Sequence, residues 1–336
     1  MKIKLSIVVL LKNCINLIPN LVETIKKQDF PHEIQWIFME NSSTDGTAEF
    51  VENLQWKYKK VINVPNCEFC HSGTRMKGAM VADGEYIAFF TEDIFPIGKD
   101  YLKNLIKPLE ETNVVATCGT WQINPETSDP VDAYLHNNWW QGRPDVIEPI
   151  SQFYWDLITP QQRRFLCNFD DCSSCYKRDV LLKLKLPDVS YGEDMLMAKR
   201  LILNGYYVAF SKDAKFYHWH HVSFSYFVKR MIIDQTISID EFNIYYVRRK
   251  LGVLKTISIR ALQRTFIAFF KLKIPIKKKF YWSAYALKLL TADFIGKYIG
   301  VLDENSIKGF SPINHRLLKY KEKIVKSIKK DSIGRY

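Results

Sequence analysis

The side chains of this chain that are best suited to chemistry fall into three clusters: Glu92-Asp93, Glu193-Asp194, and the histidines His218, His220 and His221. Carboxylates and imidazoles bind divalent metal ions, and both groups transfer protons when they lie beside a substrate. Three histidines within four residues are unusual in a chain that holds only 7. The clusters therefore predict a metal site, a proton-transfer site, or both.

Glu92 and Asp93 follow residues 85–90 (EYIAFF), an apolar run typical of a buried strand. An acidic pair at the edge of a parallel sheet is a good site for Mg²⁺ or Mn²⁺, which bind carboxylates and substrate phosphates. Such an ion would neutralise a pyrophosphate leaving group. The alternative is that Asp93 caps the helix that follows or lies in a surface turn.

Glu193 and Asp194 head a predicted helix, where the helix dipole favours ionised carboxylates. One of the two could serve as a general base beside an acceptor hydroxyl. The alternative is ordinary acidity at a helix N-terminus, with no catalytic role.

His218 and His220 point to the same side if their segment is extended, because side chains alternate along a strand. The two imidazoles could then share a metal ion or another ligand. The alternative is that these histidines are hydrogen-bonded within the core.

Strands and helices alternate through the first half of the chain. Strands are predicted at residues 5–11, 34–39, 61–64, 85–90, 114–117 and 206–210, and helices at 18–28, 47–56, 73–81, 100–110 and 194–204. This alternation predicts an α/β fold with a mostly parallel sheet and right-handed crossovers. Ligands of such sheets lie beyond the carboxyl ends of the strands, which here carry Asn13, residues 40–45, Asn66 and residues 91–93.

Irregular, aromatic-rich sequence spans residues 121–167. Loops of this kind often form the walls of pockets for sugars, and we take Trp139, Trp140, Tyr154 and Trp155 as candidate acceptor-binding residues. The alternative is that these rings pack in the core.

Two Cys-x-x-Cys pairs, at Cys67/Cys70 and Cys172/Cys175, are far apart in the sequence compared with the short spacings of zinc ribbons. We expect buried, inert thiols, and a four-cysteine zinc site is the alternative. An odd total of 7 cysteines fits a reducing compartment.

Composition excludes several protein classes. Hydrophobic residues make up 47% of the chain and charged residues 25%, ordinary values for a globular protein rather than a disordered or fibrous one. The sequence contains no run of 18 apolar residues, so no membrane-spanning helix is predicted, and the first residues do not resemble a signal peptide. We therefore expect a cytoplasmic protein.

Positive charge is concentrated in the C-terminal part of the chain. Residues 241–336 hold 22 Lys+Arg and 6 Asp+Glu, whereas residues 1–240 hold 26 and 30. The pattern predicts two regions, a catalytic domain at 1–240 and a helical, basic region at 241–336. Clustered lysines beside aromatic residues suit an anionic membrane surface, and a solvated basic helix is the alternative.

Several motifs together resemble the family 2 glycosyltransferases of GT-A fold. The resemblance runs from about Leu5 to Ile239 and rests on residues 41–47 (NSSTDGT), 91–93 (TED) and 192–194 (GED), followed by Arg200. A narrower likeness to the bacterial rhamnosyltransferases of that family rests on residues 68–75 (EFCHSGTR), 91–96 (TEDIFP), 217–220 (YHWH) with Ser223 and Arg230, and 295–300 (IGKYIG).

The resemblance implies inverting transfer of a sugar, L-rhamnose from dTDP-rhamnose in the first instance, to a hydroxyl of a glycan or lipid-linked glycan during cell-surface polysaccharide assembly. Asp93 would bind Mg²⁺ or Mn²⁺ with His218 or His220, and Asp194, beside Glu193, would be the general base. The residues that would bind the donor are Asn13, Glu40, Ser42, Asp45, Arg75 and Glu92.

Five positions depart from the family pattern: Thr91, Glu92, Glu40, Cys70 and Met76. Thr91 replaces an acidic residue, so either Asp93 would carry more of the metal coordination or the enzyme would depend less on a metal. A UDP-hexose or UDP-N-acetylhexosamine transferase is the alternative within the family. Outside it, a nucleic-acid-binding protein would fit the pI of 9.2 but lacks a supporting motif, so we expect no nucleic-acid partner, and a non-catalytic sugar-binding module is a third alternative.

Overall fold

The computed structural model describes residues 3–110, 113–139, 145–246, 250–303 and 312–330. Within these ranges the strands are β1 (Leu5–Leu11), β2 (Ile34–Glu40), β3 (Tyr58–Asn63), β4 (Tyr86–Phe90), β5 (Phe95–Pro96), β6 (Val114–Gln122), β7 (Val146–Ile147), β8 (Ser173–Lys177) and β9 (Tyr207–Tyr217). The helices up to the end of the sheet are α1 (Ile18–Lys26), α2 (Thr47–Asn53), α3 (His71–Met80), α4 (Tyr101–Glu110), α5 (Pro130–Trp139), α6 (Gln152–Leu157), α7 (Pro160–Leu166), α8 (Arg178–Leu184) and α9 (Glu193–Leu203). After the sheet the described residues are mainly helical, as predicted, with α10 (Phe224–Phe242), α11 (Lys250–Phe266), α12 (Ile276–Gly300) and α13 (Pro312–Lys330).

The strands form one mixed sheet in the order β3-β2-β1-β4-β8-β6-β9-β5, with β7 paired to β9. β1 is parallel to both β2 and β4, and β6 is parallel to β9, so the predicted parallel arrangement is confirmed for these pairs. β8 is inserted between β4 and β6, antiparallel to both, and it was not predicted. Its pairing of Ser173 with Phe90 brings the start of β8 to the same edge as the end of β4.

Side chains alternate across the sheet and build a core on each face. Ile7 and Val9 of β1 point towards α1 and α4, where they pack in a cluster with Leu21 and Leu105. Val8 lies in the other cluster, on the face covered by α3, α8 and α9. Because β1, β2 and β4 are buried on both faces, their sequences are continuous apolar runs rather than alternating ones.

The C-terminal helices pack closely because α12 carries glycines where it crosses α10. A Cβ atom at Gly296 would lie 2.5 Å from Cβ of Met231, and one at Gly300 would lie 2.6 Å from Cβ of Gln235. The Gly-containing motif noted in the sequence is therefore a helix-contact motif. The predicted boundary at residue 240 falls inside α10, and that division of the chain stays a prediction. None of the helices in the described ranges combines the length and apolarity needed to cross a bilayer.

Candidate active site

Strand pairing brings Asp93 to the histidine cluster. β5 pairs antiparallel with the end of β9, with Phe95 opposite Tyr217. Asp93 lies two residues before Phe95, and His218 directly follows Tyr217. The loop after β4 and the segment after β9 therefore meet at one edge of the sheet.

Asp93, His218 and His220 form a compact group with the geometry of a metal site. The Nε2 atom of His220 lies 2.8 Å from Oδ2 of Asp93, and Nε2 of His218 lies 3.5 Å from Oδ1. One ligand atom from each residue fits within 4.8 Å of the others. Within the described residues, the buried Oδ1 of Asp93 accepts no well-formed hydrogen bond, so it has a lone pair available for an ion. One carboxylate and two imidazoles therefore fit a divalent transition-metal ion.

The same three groups perturb one another's protonation. Burial would raise the pKa of Asp93, but the adjacent imidazoles of His218 and His220 outweigh burial and hold that pKa well below its usual range. Burial would lower the pKa of His218, and the carboxylate of Asp93 outweighs it, so the pKa of His218 is raised. Asp93 is therefore ionised at neutral pH and ready to bind a cation.

A second acidic group is linked to the metal trio through Asp170, whose charge acts on both His218 and Asp194. Asp194 is in the first turn of α9, and its Oδ1 accepts a hydrogen bond of 2.7 Å from the backbone N–H of Met195. Burial, followed by the charges of Glu193, Asp170 and Asp171, raises the pKa of Asp194 well above the ordinary carboxyl value. A carboxylate of raised pKa is a stronger base, as proton abstraction from a hydroxyl requires.

Asp170 and Asp171 are site residues that the sequence reasoning missed. They precede β8, whose antiparallel pairing with β4 brings them to the active edge, and the backbone N–H of Thr91 donates to the carbonyl of Cys172. Asp171 accepts hydrogen bonds from Ser174 and Tyr176, and burial raises its pKa to about 6. The available signal was an acidic pair next to a short strand, but strand direction cannot be read from that pattern.

Arg75 and Glu193 form a buried ion pair, each side chain being 8% exposed. Arg75 extends from α3 and Glu193 from the start of α9, next to Asp194 in the sequence, so the pair joins the two helices. The family resemblance implies direct roles for both residues, Arg75 in donor binding and Glu193 in catalysis. In this structure their charged groups face each other.

The candidate donor residues Asn13, Glu40, Ser42 and Asp45 lie at the carboxyl ends of β1 and β2, where hydrogen bonds join two loops. Glu40 accepts bonds from the backbone N–H groups of Ser42 (2.9 Å) and Ser43 (2.6 Å). Oδ1 of Asn13 accepts from the N–H of Thr44 at 2.8 Å, and Asp45 accepts from Ile15 at 3.0 Å. These bonds hold together the loops after β1 and β2.

One residue in each of these two loops has a left-handed backbone conformation, with φ of 48° at Asn13 and 50° at Ser42. Such conformations are costly for residues other than glycine and are concentrated at functional sites. Glu92 is half-buried, and its charge acts on the nearby thiol of Cys14.

The candidate acceptor residues differ in their exposure to solvent. Tyr154 is 52% exposed on α6, whereas Trp155 is 4% exposed, with Arg163 and Lys199 against its ring. Trp140 and the side chain of Trp139 lie outside the described residues.

An aromatic residue that we had not selected lies at the metal trio. The ring of Trp121 stacks on His136 at 3.6 Å and meets the ring of His218 edge-on at 6.3 Å. Trp121 therefore forms a wall beside the candidate metal site.

The cysteine pairs do not join a metal-binding cluster within the described residues. Cys175 is buried, as predicted, but the prediction of buried thiols is wrong for Cys67, which is exposed.

Comparisons with known proteins show which family the chain belongs to. The chain is 27% identical over 222 residues to the O-antigen chain rhamnosyltransferase RfbN of Salmonella typhimurium, a match covering 65% of this chain and 67% of that protein. It is 28% identical over 191 residues to WbaN of Salmonella anatum, also an O-antigen chain rhamnosyltransferase, covering 56% of this chain and 57% of that protein.

The fold is shared with a solved structure, the mannosyltransferase PcManGT of Pyrobaculum calidifontis in complex with GDP-Man and Mn²⁺. The two align with a TM-score of 0.51 and 16% identity over 97% of this chain and 81% of that one. This likeness confirms the predicted GT-A fold. Residues 6–181 match the model of glycosyl transferase family 2, and because this match spans just over half of the 336 residues, the chain belongs to that family.

Proposed function

We propose that the chain is an inverting glycosyltransferase that moves a sugar from a nucleoside diphosphate to a hydroxyl group. The observation that carries the proposal is that Asp170 acts on members of two groups: the Asp93, His218 and His220 trio, and Asp194 with its raised pKa. The first group suits the diphosphate end of a donor, and the second suits the hydroxyl of an acceptor.

In this mechanism Asp194 is the general base. Its carboxylate takes the proton from the acceptor hydroxyl while the oxygen attacks the anomeric carbon opposite the leaving group. The bond between that carbon and the diphosphate oxygen breaks, and its electron pair leaves with the diphosphate, so the anomeric configuration inverts. General-base catalysis of this kind contributes about 10²–10⁴-fold to the rate.

Asp93, His218 and His220 would hold a divalent ion, which when bound neutralises negative charge on the leaving diphosphate. Of the two ions considered, we favour Mn²⁺ over Mg²⁺, because two of the three ligand atoms are imidazole nitrogens and Mg²⁺ prefers oxygen ligands.

Glu40 and Asn13 organise the two loops that would receive the nucleoside, and Ser42 and Asp45 complete them. Arg75 and Glu193 act as positioning residues, since their ion pair fixes the start of α9 and with it the base. Glu92, on the loop that carries Asp93, contributes to the donor side. Trp121 and the exposed Tyr154 supply aromatic surface on the acceptor side, and the buried Trp155 follows Tyr154 on α6. The roles of Trp139 and Trp140 stay predictions from the sequence.

The donor that we propose is dTDP-rhamnose, and the acceptor a glycan or lipid-linked glycan of a cell-surface polysaccharide. The names of the two relatives support this choice, at 27% and 28% identity. The enzyme would then act at the cytoplasmic face of the inner membrane, in peripheral contact with anionic lipid. A UDP-hexose or UDP-N-acetylhexosamine donor is the competing choice within the same fold.

The test is release of nucleoside diphosphate from dTDP-rhamnose, UDP-glucose and UDP-N-acetylglucosamine, each with Mn²⁺ and a bacterial glycolipid extract. Faster release from dTDP-rhamnose, coupled to rhamnose incorporation into the glycolipid, supports the proposal. Release from the UDP-sugars alone would assign the competing donor. Incorporation of no sugar, with Asp194→Asn indistinguishable from the wild type, would contradict the enzyme class.

A further inference from the structure

Exposed apolar side chains are concentrated in one short part of the chain. Of the 22 large hydrophobic residues that are exposed in the described ranges, 8 lie between residues 259 and 287. Three phenylalanines are the most notable, Phe270 at 74% exposed, Phe280 at 63% and Phe266 at 52%. Single exposed apolar residues are ordinary, but a cluster of them marks an interaction surface.

These phenylalanines form one surface where α11 turns back into α12. A π-helical turn, Ile267–Lys271, follows α11, and the ring of Phe266 lies 5.0 Å from that of Phe270. Phe280 on α12 meets Phe269 of the same turn at 5.1 Å, which joins the two helices. We call the exposed end of this helical pair the hairpin surface, defined by Phe266, Phe270, Phe280, Lys273, Lys277 and Lys278.

The hairpin surface lies in a strongly basic part of the chain. Residues 242–292 hold 12 Lys+Arg and neither Asp nor Glu. Lys273, Lys277 and Lys278 are exposed, and none of them pairs with a carboxylate in the described part of the chain. Aromatic rings flanked by lysines suit a lipid bilayer, whose interior is apolar and whose headgroups can be anionic. A second copy of the chain would bring like charges together, which disfavours self-association through this surface.

The hairpin surface is also connected to the candidate active site. Trp219, between the two metal-site histidines, meets the ring of Trp282 on α12 at 6.3 Å. His221 stacks on Tyr285 at 4.6 Å and lies within hydrogen-bond distance, 3.2 Å, of the hydroxyl of Tyr281. The helix that carries Phe280 therefore supports the segment that carries His218 and His220.

We propose that the hairpin surface docks on an anionic lipid bilayer, with its phenylalanines in the interfacial region and its lysines against the lipid headgroups. The helical pair lies on the bilayer rather than across it, in line with the lack of a spanning helix among the described residues. Docking would hold the metal-site segment close to the headgroups. The docking itself rests on the hairpin surface alone, and only its use in reaching a lipid-linked acceptor rests on the proposed function.

The test is co-sedimentation of the full chain with phosphatidylcholine vesicles, with and without phosphatidylglycerol. We expect binding to the anionic vesicles only. Lys277→Gln/Lys278→Gln should lower the partition coefficient by about 30-fold, because each lysine near an anionic surface strengthens binding about fivefold. Phe270→Ser/Phe280→Ser should lower it by about tenfold or more. The matched control is Phe153→Ser on α6, which is equally exposed at 74% and should bind as the wild type does.

Equal binding by the wild type and both hairpin variants would overturn the proposal, as would a lack of binding to anionic vesicles. A hairpin variant that instead abolishes a dimer in analytical ultracentrifugation would assign the surface to a second copy. Nucleotide binding by the wild type separates the two proposals: if the wild type binds nucleotide but does not bind anionic vesicles, docking fails and the proposed function stands.

Discussion

The imidazole Nε2 of His220 lies 2.8 Å from the Oδ2 atom of Asp93, on a segment that follows the last strand in the sequence. The contact depends on the pairing of β5 with β9, which places the two loops side by side. His220 is half-exposed and Asp93 is largely buried, so the trio faces outward from a fixed carboxylate. An ion bound there would be open on one side to a substrate.

Removing the histidines should weaken metal binding. We expect His218→Ala/His220→Ala to lower Mn²⁺ affinity by about tenfold or more, since two of three ligands are lost and even outer partners of ligands are worth 10–100-fold. Isothermal titration with Mn²⁺ measures the change. His32→Ala, at an exposed histidine in a loop before β2, is the control. Unchanged Mn²⁺ affinity in the double variant would exclude the trio as the metal site.

Asp194→Asn should lower kcat by about 10²–10⁴-fold and leave donor binding intact, because an amide cannot accept the proton. Initial rates and nucleotide titrations give the two quantities separately. Asp179→Asn is a matched control, since Asp179 also lies in the first turn of a helix but is exposed. Near wild-type rates for Asp194→Asn would show that another group is the base.

Neutralising Glu193 should destabilise the protein, whereas neutralising its neighbour Asp194 should not. Glu193→Gln leaves the buried guanidinium of Arg75 without its partner and should lower the free energy of unfolding by about 3 kcal/mol. Asp194→Asn should instead equal or exceed the wild-type stability at neutral pH.

The reason is that the pKa of Asp194 is raised in the folded state by burial and by neighbouring carboxylates. Ionisation of Asp194 therefore lowers the free energy of unfolding. The loss is absent below the unfolded pKa of about 4, and it grows as pH rises through the folded pKa. Urea unfolding at several pH values should show the advantage of Asp194→Asn growing with pH. Equal losses of stability in both variants would refute this assignment of roles.

Much of the fold followed from local sequence. The apolar runs of β1, β2 and β4 are buried on both faces, and such runs are identifiable without a structure. Asp93 and Asp194 were selected because each follows a recognisable element boundary. β8 was not predicted because it is a short strand of five mostly polar residues, SSCYK. Its antiparallel direction depends on pairing with β4, which the sequence does not show.

Asp170 and Asp171 were missed for the same reason, since only the position of β8 brings them to the site. The ion pair between Arg75 and Glu193 was missed because it joins helices that are distant in the sequence. Local patterns thus identified which groups are reactive, whereas tertiary pairing decided which of them face each other.

The position of Asp170 predicts a shift in the pH dependence of catalysis. Its negative charge helps to raise the pKa of Asp194, and so removing that charge should lower this pKa. A base must be ionised to act, and the acidic limb of kcat/KM should therefore move to lower pH in Asp170→Asn. Asp179→Asn should leave the limb unmoved. A limb that stays in place in Asp170→Asn, or moves to higher pH, would contradict the proximity of the two carboxyl groups.

The central claim is that this sheet edge binds a nucleoside diphosphate together with a divalent ion, and thermal unfolding with dTDP, UDP, GDP and CMP, each with and without Mn²⁺, tests it most directly. A ligand at about a hundred times its Kd stabilises a protein by about 2.7 kcal/mol, which raises Tm by several degrees. We predict the largest rise with dTDP and Mn²⁺ together, and loss of that rise in His218→Ala/His220→Ala. No rise in Tm with any of the four nucleotides in the presence of Mn²⁺ would contradict the account.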